Sequence, residues 1–363
     1  MSSVTIVTFY KVVSIENVHK LKREVERVAF KENLSGTFFA TPQGVNTTLA
    51  GKKDGLEKVI TVLEEVFQIS NIEPTWSESF KVPFKRLKVR IKEKLLPLEG
   101  SFDIFDLKGK EVTPDEWNDY LEDPETIVLD VRNEYETRIG SFKNSLIPET
   151  KHFTDLPEYI QDNKKLFKNK KIAMFCTGGI RCEIASSFFM SQGYEDVYQL
   201  KGGVLNYFDK VNKDNNLWEG ECFVFDERVS VNPDLEEGNF EQCFGCRRPI
   251  SKEDMNSKKY KKGVSCPYCY DFSSKEDKIN ELWPYIEKQI IRGNQIFWVC
   301  PLIEESKKLD HSSAVKKFEY LKKKFPNQVS LLHGKTDLEE KNIILNNFLN
   351  NKFKILVSTT IIE

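Results

Sequence analysis

The segment Cys176-Thr177-Gly178-Gly179-Ile180-Arg181 constrains this chain most, because its surroundings fix a strand, a tight loop and a helix in direct succession. Before it, Lys171-Ile172-Ala173-Met174-Phe175 is a short apolar run that predicts a buried strand. After it, the apolar residues of 182–190 recur at helical spacing. A thiol opening such a loop lies among backbone N–H groups at a helix N-terminus, where negative charge is stabilised. The thiolate of Cys176 is therefore favoured. Gly178 and Gly179 let the backbone curl around the sulfur. Thr177 and Ile180 complete the loop, and Arg181 closes it with a positive charge. The alternative is a buried cysteine that merely precedes a helix, but thiol, glycines, arginine and helix arrive in the order a reactive loop needs.

The rest of the chain, 363 residues in all, is long enough for two or more domains. Residues 1–95 predict a small unit: strand 4–10, helix 15–33 with Leu21, Val25 and Val28 on one face, strands 36–40 and 46–50, helix 55–67 and strand 75–80. The order β-α-β-β-α-β is that of a ferredoxin-like fold. After a basic connector, residues 110–225 alternate helices with strands at 126–131, 172–175 and 197–200, which implies a parallel sheet with the Cys176 loop at its carboxyl end. Residues 240–270 form a cysteine-rich segment, 271–278 read as a linker, and 279–363 as a further α/β fragment. The fold class is α/β throughout, with an α+β unit leading.

Two further constellations carry chemistry. Asp130 and Arg132 close a buried strand near the expected position of the Cys176 loop, as an ion pair that braces loops or as direct substrate contacts. Cys243-Phe244-Gly245-Cys246 and Cys266-Pro267-Tyr268-Cys269 form two C-x2-C knuckles, a donor set suited to tetrahedral zinc with no open position for catalysis. Arg247, Arg248, Lys258, Lys259, Lys261 and Lys262 surround them, and Tyr260, Tyr268 and Tyr270 could stack on bases. Lys81, Lys85, Arg86, Lys88, Arg90, Lys92 and Lys94 make a second basic stretch, a solvated face or an RNA-facing one. Cys182 is read as a helix cysteine pointing away from the loop, the alternative being a resolving thiol for an oxidised or persulfidated Cys176, and Cys222 as a core residue.

In the middle unit, Asp130-Val131-Arg132, the Cys176 loop and Leu200-Lys201-Gly202-Gly203 together resemble a rhodanese domain. Thr41-Pro42-Gln43-Gly44-Val45-Asn46, Pro83-Phe84-Lys85-Arg86, Arg132-Asn133-Glu134-Tyr135-Glu136, Cys182-Glu183 and Gly220-Glu221-Cys222-Phe223-Val224-Phe225-Asp226 narrow the match. Residues 1–270 resemble the rhodanese-domain tRNA uridine hydroxylases. That resemblance implies tRNA as partner, molecular oxygen as co-substrate and conversion of the wobble uridine to 5-hydroxyuridine. It also implies that Cys176 is the active-site thiol, working through a persulfide. Thr48 and Ser141 depart from the family pattern, which favours Gly and His there. Residue chemistry alone goes less far: a low-pKa thiolate can equally serve a sulfurtransferase, and an RNA-binding adaptor is a third reading. No flavin or haem motif is evident.

The tail, from Asn294-Gln295-Ile296-Phe297-Trp298-Val299-Cys300 through Leu331-Leu332-His333-Gly334-Lys335 to Thr359-Thr360-Ile361-Ile362-Glu363, resembles the second motor lobe of RecG-type DNA helicases. It stops before the arginine-bearing element that such lobes use for ATP hydrolysis. Val329 stands where a phosphate loop around Gly334-Lys335-Thr336 needs its first glycine. No helicase activity is expected, and the tail is read as a passenger. Composition excludes other classes. No run of about 18 apolar residues predicts a membrane span. The amino terminus lacks the pattern of a secretory signal. Eight cysteines without an export signal predict the reducing cytoplasm, where thiols serve metals or catalysis.

Overall fold

A computed structural model describes residues 3–98, 100, 102–271, 283, 286–299, 307–332 and 337–358. The chain divides into two compact units, 1–268 and 269–363. The first unit opens with β1 (Val4–Val12), α1 (Val18–Lys31), β2 (Ser35–Thr41), β3 (Gly44–Gly51), α2 (Lys53–Phe67) and β4 (Thr75–Ser79). Asn17 starts α1 by accepting the Lys20 N–H at 2.8 Å, satisfying a donor that the helix cannot. Its apolar residues Val18, Leu21, Val25 and Val28 fall on one buried face.

A fifth strand, β5 (Leu87–Ile91), runs parallel to β2 and completes a sheet of order β4-β1-β3-β2-β5. The basic connector expected there is thus partly an edge strand. Its alternation explains this: Val89 is buried and Leu87 packs beside it, while Lys88 and Arg90 are exposed. Charge on an edge strand also keeps its open backbone from pairing with another chain.

The middle of the unit contains β6 (Lys110–Val112), α3 (Pro114–Glu122), β7 (Thr126–Asp130), α4 (Glu134–Thr137) and β8 (Gly140–Phe142). There follow α5 (Leu156–Asp162), α6 (Lys164–Phe167), β9 (Lys171–Phe175), α7 (Ile180–Ser191), β10 (Val197–Leu200) and α8 (Gly203–Lys210). Strands β6, β10, β9 and β7 form one parallel sheet in that order. Because β9 is central, both its faces are buried. Ile172 and Met174 point into one core with Phe167, Ile184 and Phe189, whereas Ala173 and Phe175 point into the other with Trp117, Val204 and Tyr207. Helix α7 has no polar stripe at all, since every residue from Ile180 to Phe189 is buried.

In the second unit, strands Ile296–Val299, Ile355–Ser358 and Val329–Leu332 make a parallel sheet in that spatial order, with helices Lys307–Lys324 and Leu338–Leu349 between them in sequence. The linker residues 272–278 and the motif residues Cys300, His333, Gly334, Lys335, Thr336 and 359–363 lie outside the described residues.

Candidate active site

Cys176 follows the last residue of β9 and is 1% exposed. Its Sγ accepts the Gly179 N–H at 3.1 Å. Burial alone would push this thiol up. That effect is outweighed by the Cys182 thiol donating to it, by the charge of Arg181 and by the backbone N–H groups of Cys182 and Arg181, which bring it down to about 6. Cys176 is therefore mostly a thiolate at neutral pH.

The expectation that Cys182 points away is corrected here. Cys182 lies in the first turn of α7, and its thiol is near enough to Cys176 for the two to shift each other's titration. Burial, and then the bond to Cys176 and its negative charge, hold Cys182 protonated. Cys222 is fully buried, and burial pushes it up to about 12 despite the nearby Arg132.

The two glycines of the loop are not equivalent. Gly179 has φ +97°, and a Cβ there would meet the Tyr10 ring at 2.8 Å. Gly178 is outside the left-handed region, and its Cβ would lie 3.8 Å from Thr8 Cγ2, an ordinary contact. Only Gly179 is required by the geometry. Gly203, at φ +67°, lets the start of α8 close on the loop, where the Val204 N–H donates to the Cys176 carbonyl at 2.9 Å. Leu205 N–H binds the Thr177 carbonyl at 3.1 Å.

Charged residues near the loop are paired. Arg181 donates to both oxygens of buried Glu136 at 2.6 and 2.8 Å, so its charge is shared with a partner from α4. Asp130 and Arg132 are bonded to each other at 2.9 and 2.6 Å, with Arg132 also on the Gly140 carbonyl. Ser141 Oγ donates to Asp130 Oδ2 at 2.7 Å. The Asp130–Arg132 pair braces the end of β7 and is not among the residues lining the cavity below.

That cavity, of about 470 Å³, has Cys176, Thr177, Gly178, Ile180 and Arg181 on one side. The leading sheet contributes Thr8, Tyr10, Thr37, Phe39, Asn46 and Thr48 to the same lining. Phe84, Lys92, Phe225 and Arg228 add aromatic and basic groups. Tyr10 joins the two walls: its ring abuts Gly179 and its hydroxyl lies 3.5 Å from Glu183 Oε1. Burial, then the negative charges of Glu183, Cys182 and Cys176, push this phenol up and keep it protonated. Sequence reasoning missed Tyr10, Asn46 and Glu136 as neighbours of the thiol. They come from elements remote in sequence, and no local signal marks them.

The Sγ atoms of Cys243, Cys246, Cys266 and Cys269 all lie within 4.8 Å of one another. Cys246 and Cys266 are 3.7 Å apart, near the edge of about 3.8 Å that a tetrahedron with 2.3 Å metal–sulfur bonds requires. The group fits a metal such as zinc. Tyr268, read above as a stacking residue, is engaged internally: its hydroxyl donates to Asp254 at 2.7 Å and Arg138 sits 3.4 Å over its ring.

Comparison with known proteins follows the same division. Residues 4–95 match the UPF0176 acylphosphatase like domain, 113–210 the rhodanese-like domain and 276–363 the helicase conserved C-terminal domain. Among solved structures, a rhodanese-related protein from Thermoplasma volcanium is 22% identical over 28% of this chain and 92% of its own, with a TM-score of 0.23. Acylphosphatases from Coxiella burnetii (16% identity, 24% of this chain, 93% of that one, TM-score 0.19) and Bacillus subtilis (18%, 25%, 99%, 0.19) are similar to the leading domain. The chain thus combines an acylphosphatase-like ferredoxin-type domain, a rhodanese-like parallel-sheet domain, a zinc-ribbon-like cysteine group and a helicase C-terminal-like part. A rhodanese-like domain points to an enzymatic or sulfur-transfer activity. Among the described residues, no helix is long and apolar enough to cross a membrane.

Proposed function

We propose that this chain is a tRNA-modifying oxygenase that converts the wobble uridine to 5-hydroxyuridine, with Cys176 as its active-site thiol. The observation that carries this reading is the cavity itself. A thiolate held near pKa 6 faces the sheet of a UPF0176-type domain across a space of about 470 Å³, a size suited to one small ligand. A base must leave its stack to reach such a site. Exposed Phe80, with Lys81, Lys85 and Arg86 beside it in sequence, offers stacking and phosphate contacts in the segment that leads to cavity residue Phe84. In the net reaction one oxygen atom enters the C5–H bond, and the other leaves as water with two electrons and two protons from a donor. Cys243, Cys246, Cys266 and Cys269 would hold a structural zinc ion, which stabilises the turns around it.

A second reading, sulfur transfer by a Cys176 persulfide, is favoured by the thiolate and by the Cys182 thiol beside it. Nucleoside mass spectrometry of tRNA from cells lacking the gene separates the two. Complementation with the full chain is expected to restore 5-hydroxyuridine, and Cys176→Ser is expected to leave it absent. Unchanged 5-hydroxyuridine in the deletion strain would sink the oxygenase reading. Thiosulfate-to-cyanide sulfur transfer without any modified uridine would establish the second.

A further inference from the structure

The sheet face opposite Cys176 has an ordered composition. Register pairs Tyr10 of β1 and Phe39 of β2 with the same residue of the central strand β3, Asn46. Side chains alternate along strands, so these three share one face. Phe9, Phe38 and Val45, one position away on each strand, are buried in the core that α1 and α2 cover. The neighbouring row on the cavity side pairs Thr8, Thr48 and Thr37. There the Thr8 hydroxyl donates to Thr48 at 3.2 Å. Asn46 differs. Half-buried on the cavity floor, its amide has no hydrogen-bond partner among the described residues.

We propose that Asn46 is the base-reading residue of this cavity, its amide pairing with the N–H/C=O edge of one unstacked pyrimidine walled by Tyr10 and Phe39. This rests on the tRNA reading above. An asparagine side chain offers one acceptor and two coplanar donors, the complement of a ring N–H beside a carbonyl. Adjacent strands lie about 4.8 Å apart, so Tyr10 and Phe39 flank Asn46 at a separation of roughly 10 Å, space for a single planar ring. The C5–C6 bond of a pyrimidine lies across the ring from N3. A base seated by its N3 edge on Asn46 therefore presents that bond away from β3, into the cavity that Cys176 also lines. Lys92, with Nζ 3.6 Å over the Phe39 ring, and Arg90, paired in register with Phe39, supply positive charge where the nucleotide's phosphates would emerge. Four-stranded sheets that bind RNA likewise stack bases on aromatic side chains of one face.

The test is a cycle of two proteins and two RNAs, read by fluorescence polarisation. The full chain and its Asn46→Ala variant are each titrated with an anticodon stem-loop carrying wobble uracil, and with the same RNA abasic at that position. The unmodified chain is expected to prefer the uracil RNA by about 10- to 100-fold, from one bidentate edge contact plus stacking. Asn46→Ala is expected to lose about 10-fold of that preference while binding the abasic RNA as the unmodified chain does. Asn46→Asp, which keeps the shape and removes both donors, is expected to lose preference likewise and controls for misfolding. Full retention of the uracil preference in both variants would overturn the assignment of Asn46 and leave the tRNA reading standing. If the unmodified chain itself shows no preference for the uracil RNA, the tRNA reading and this assignment fall together.

Discussion

Cys176 and the four cysteines of residues 243–269 are both placed by tight turns, yet their neighbours differ in kind. Cys176 has one thiol beside it, a set of backbone N–H donors, and a cavity in front of it. The knuckle cysteines have chiefly each other, four Sγ atoms within 4.8 Å. A lone thiolate facing space is available for reaction. Four converging thiols close a coordination shell and leave no open position. The same residue type is thus reactive in one place and structural in the other, and the arrangement of neighbours decides which.

The largest effect that would test this contrast is metal removal. Purified under reducing conditions, the chain is expected to contain a single zinc ion, released by an excess of a strong chelator with the thiols left free. Loss of the ion is expected to remove amide-exchange protection from the knuckles around 243–268 while Cys176 keeps its reactivity. Absence of zinc, or coupled loss of both properties, would break the comparison.

A finer effect lies inside the Cys176 loop. Gly179→Ala forces a left-handed residue against the Tyr10 ring and is expected to cost about 1–3 kcal/mol in denaturant unfolding. Gly178→Ala has no such conflict and is expected to stay within about 0.5 kcal/mol. Equal costs at the two positions would show that the loop is not shaped as described.

The knuckles were legible in the sequence because their ligands come from two short turns, whose spacing alone nearly fixes the geometry. The order of strands and helices in the middle domain was legible for the same local reason. The strand β5 was harder to see, since its lysine and arginine read as a connector until Val89 is known to be buried. The acidity of Cys176 was anticipated from the helix N-terminus, the loop N–H groups and Arg181, but its more distant partners were not. Cys182 turns inward, Glu136 neutralises Arg181 from another helix, and Tyr10 and Asn46 arrive from the leading sheet. Those relations depend on how distant elements pack, which periodicity and spacing do not encode.

The central claim is that the loop makes Cys176 a thiolate at the wall of an open cavity. Its direct measurement is the pH dependence of iodoacetamide alkylation at Cys176, followed by peptide mass spectrometry in the folded full-length chain. Because the folded pKa is lowered to about 6, the rate is expected to rise with pH through about 6 and level off near neutrality, while Cys222, pushed up to about 12, stays unmodified. A rate that instead climbs through about 8.5, as for an ordinary thiol, would contradict the account.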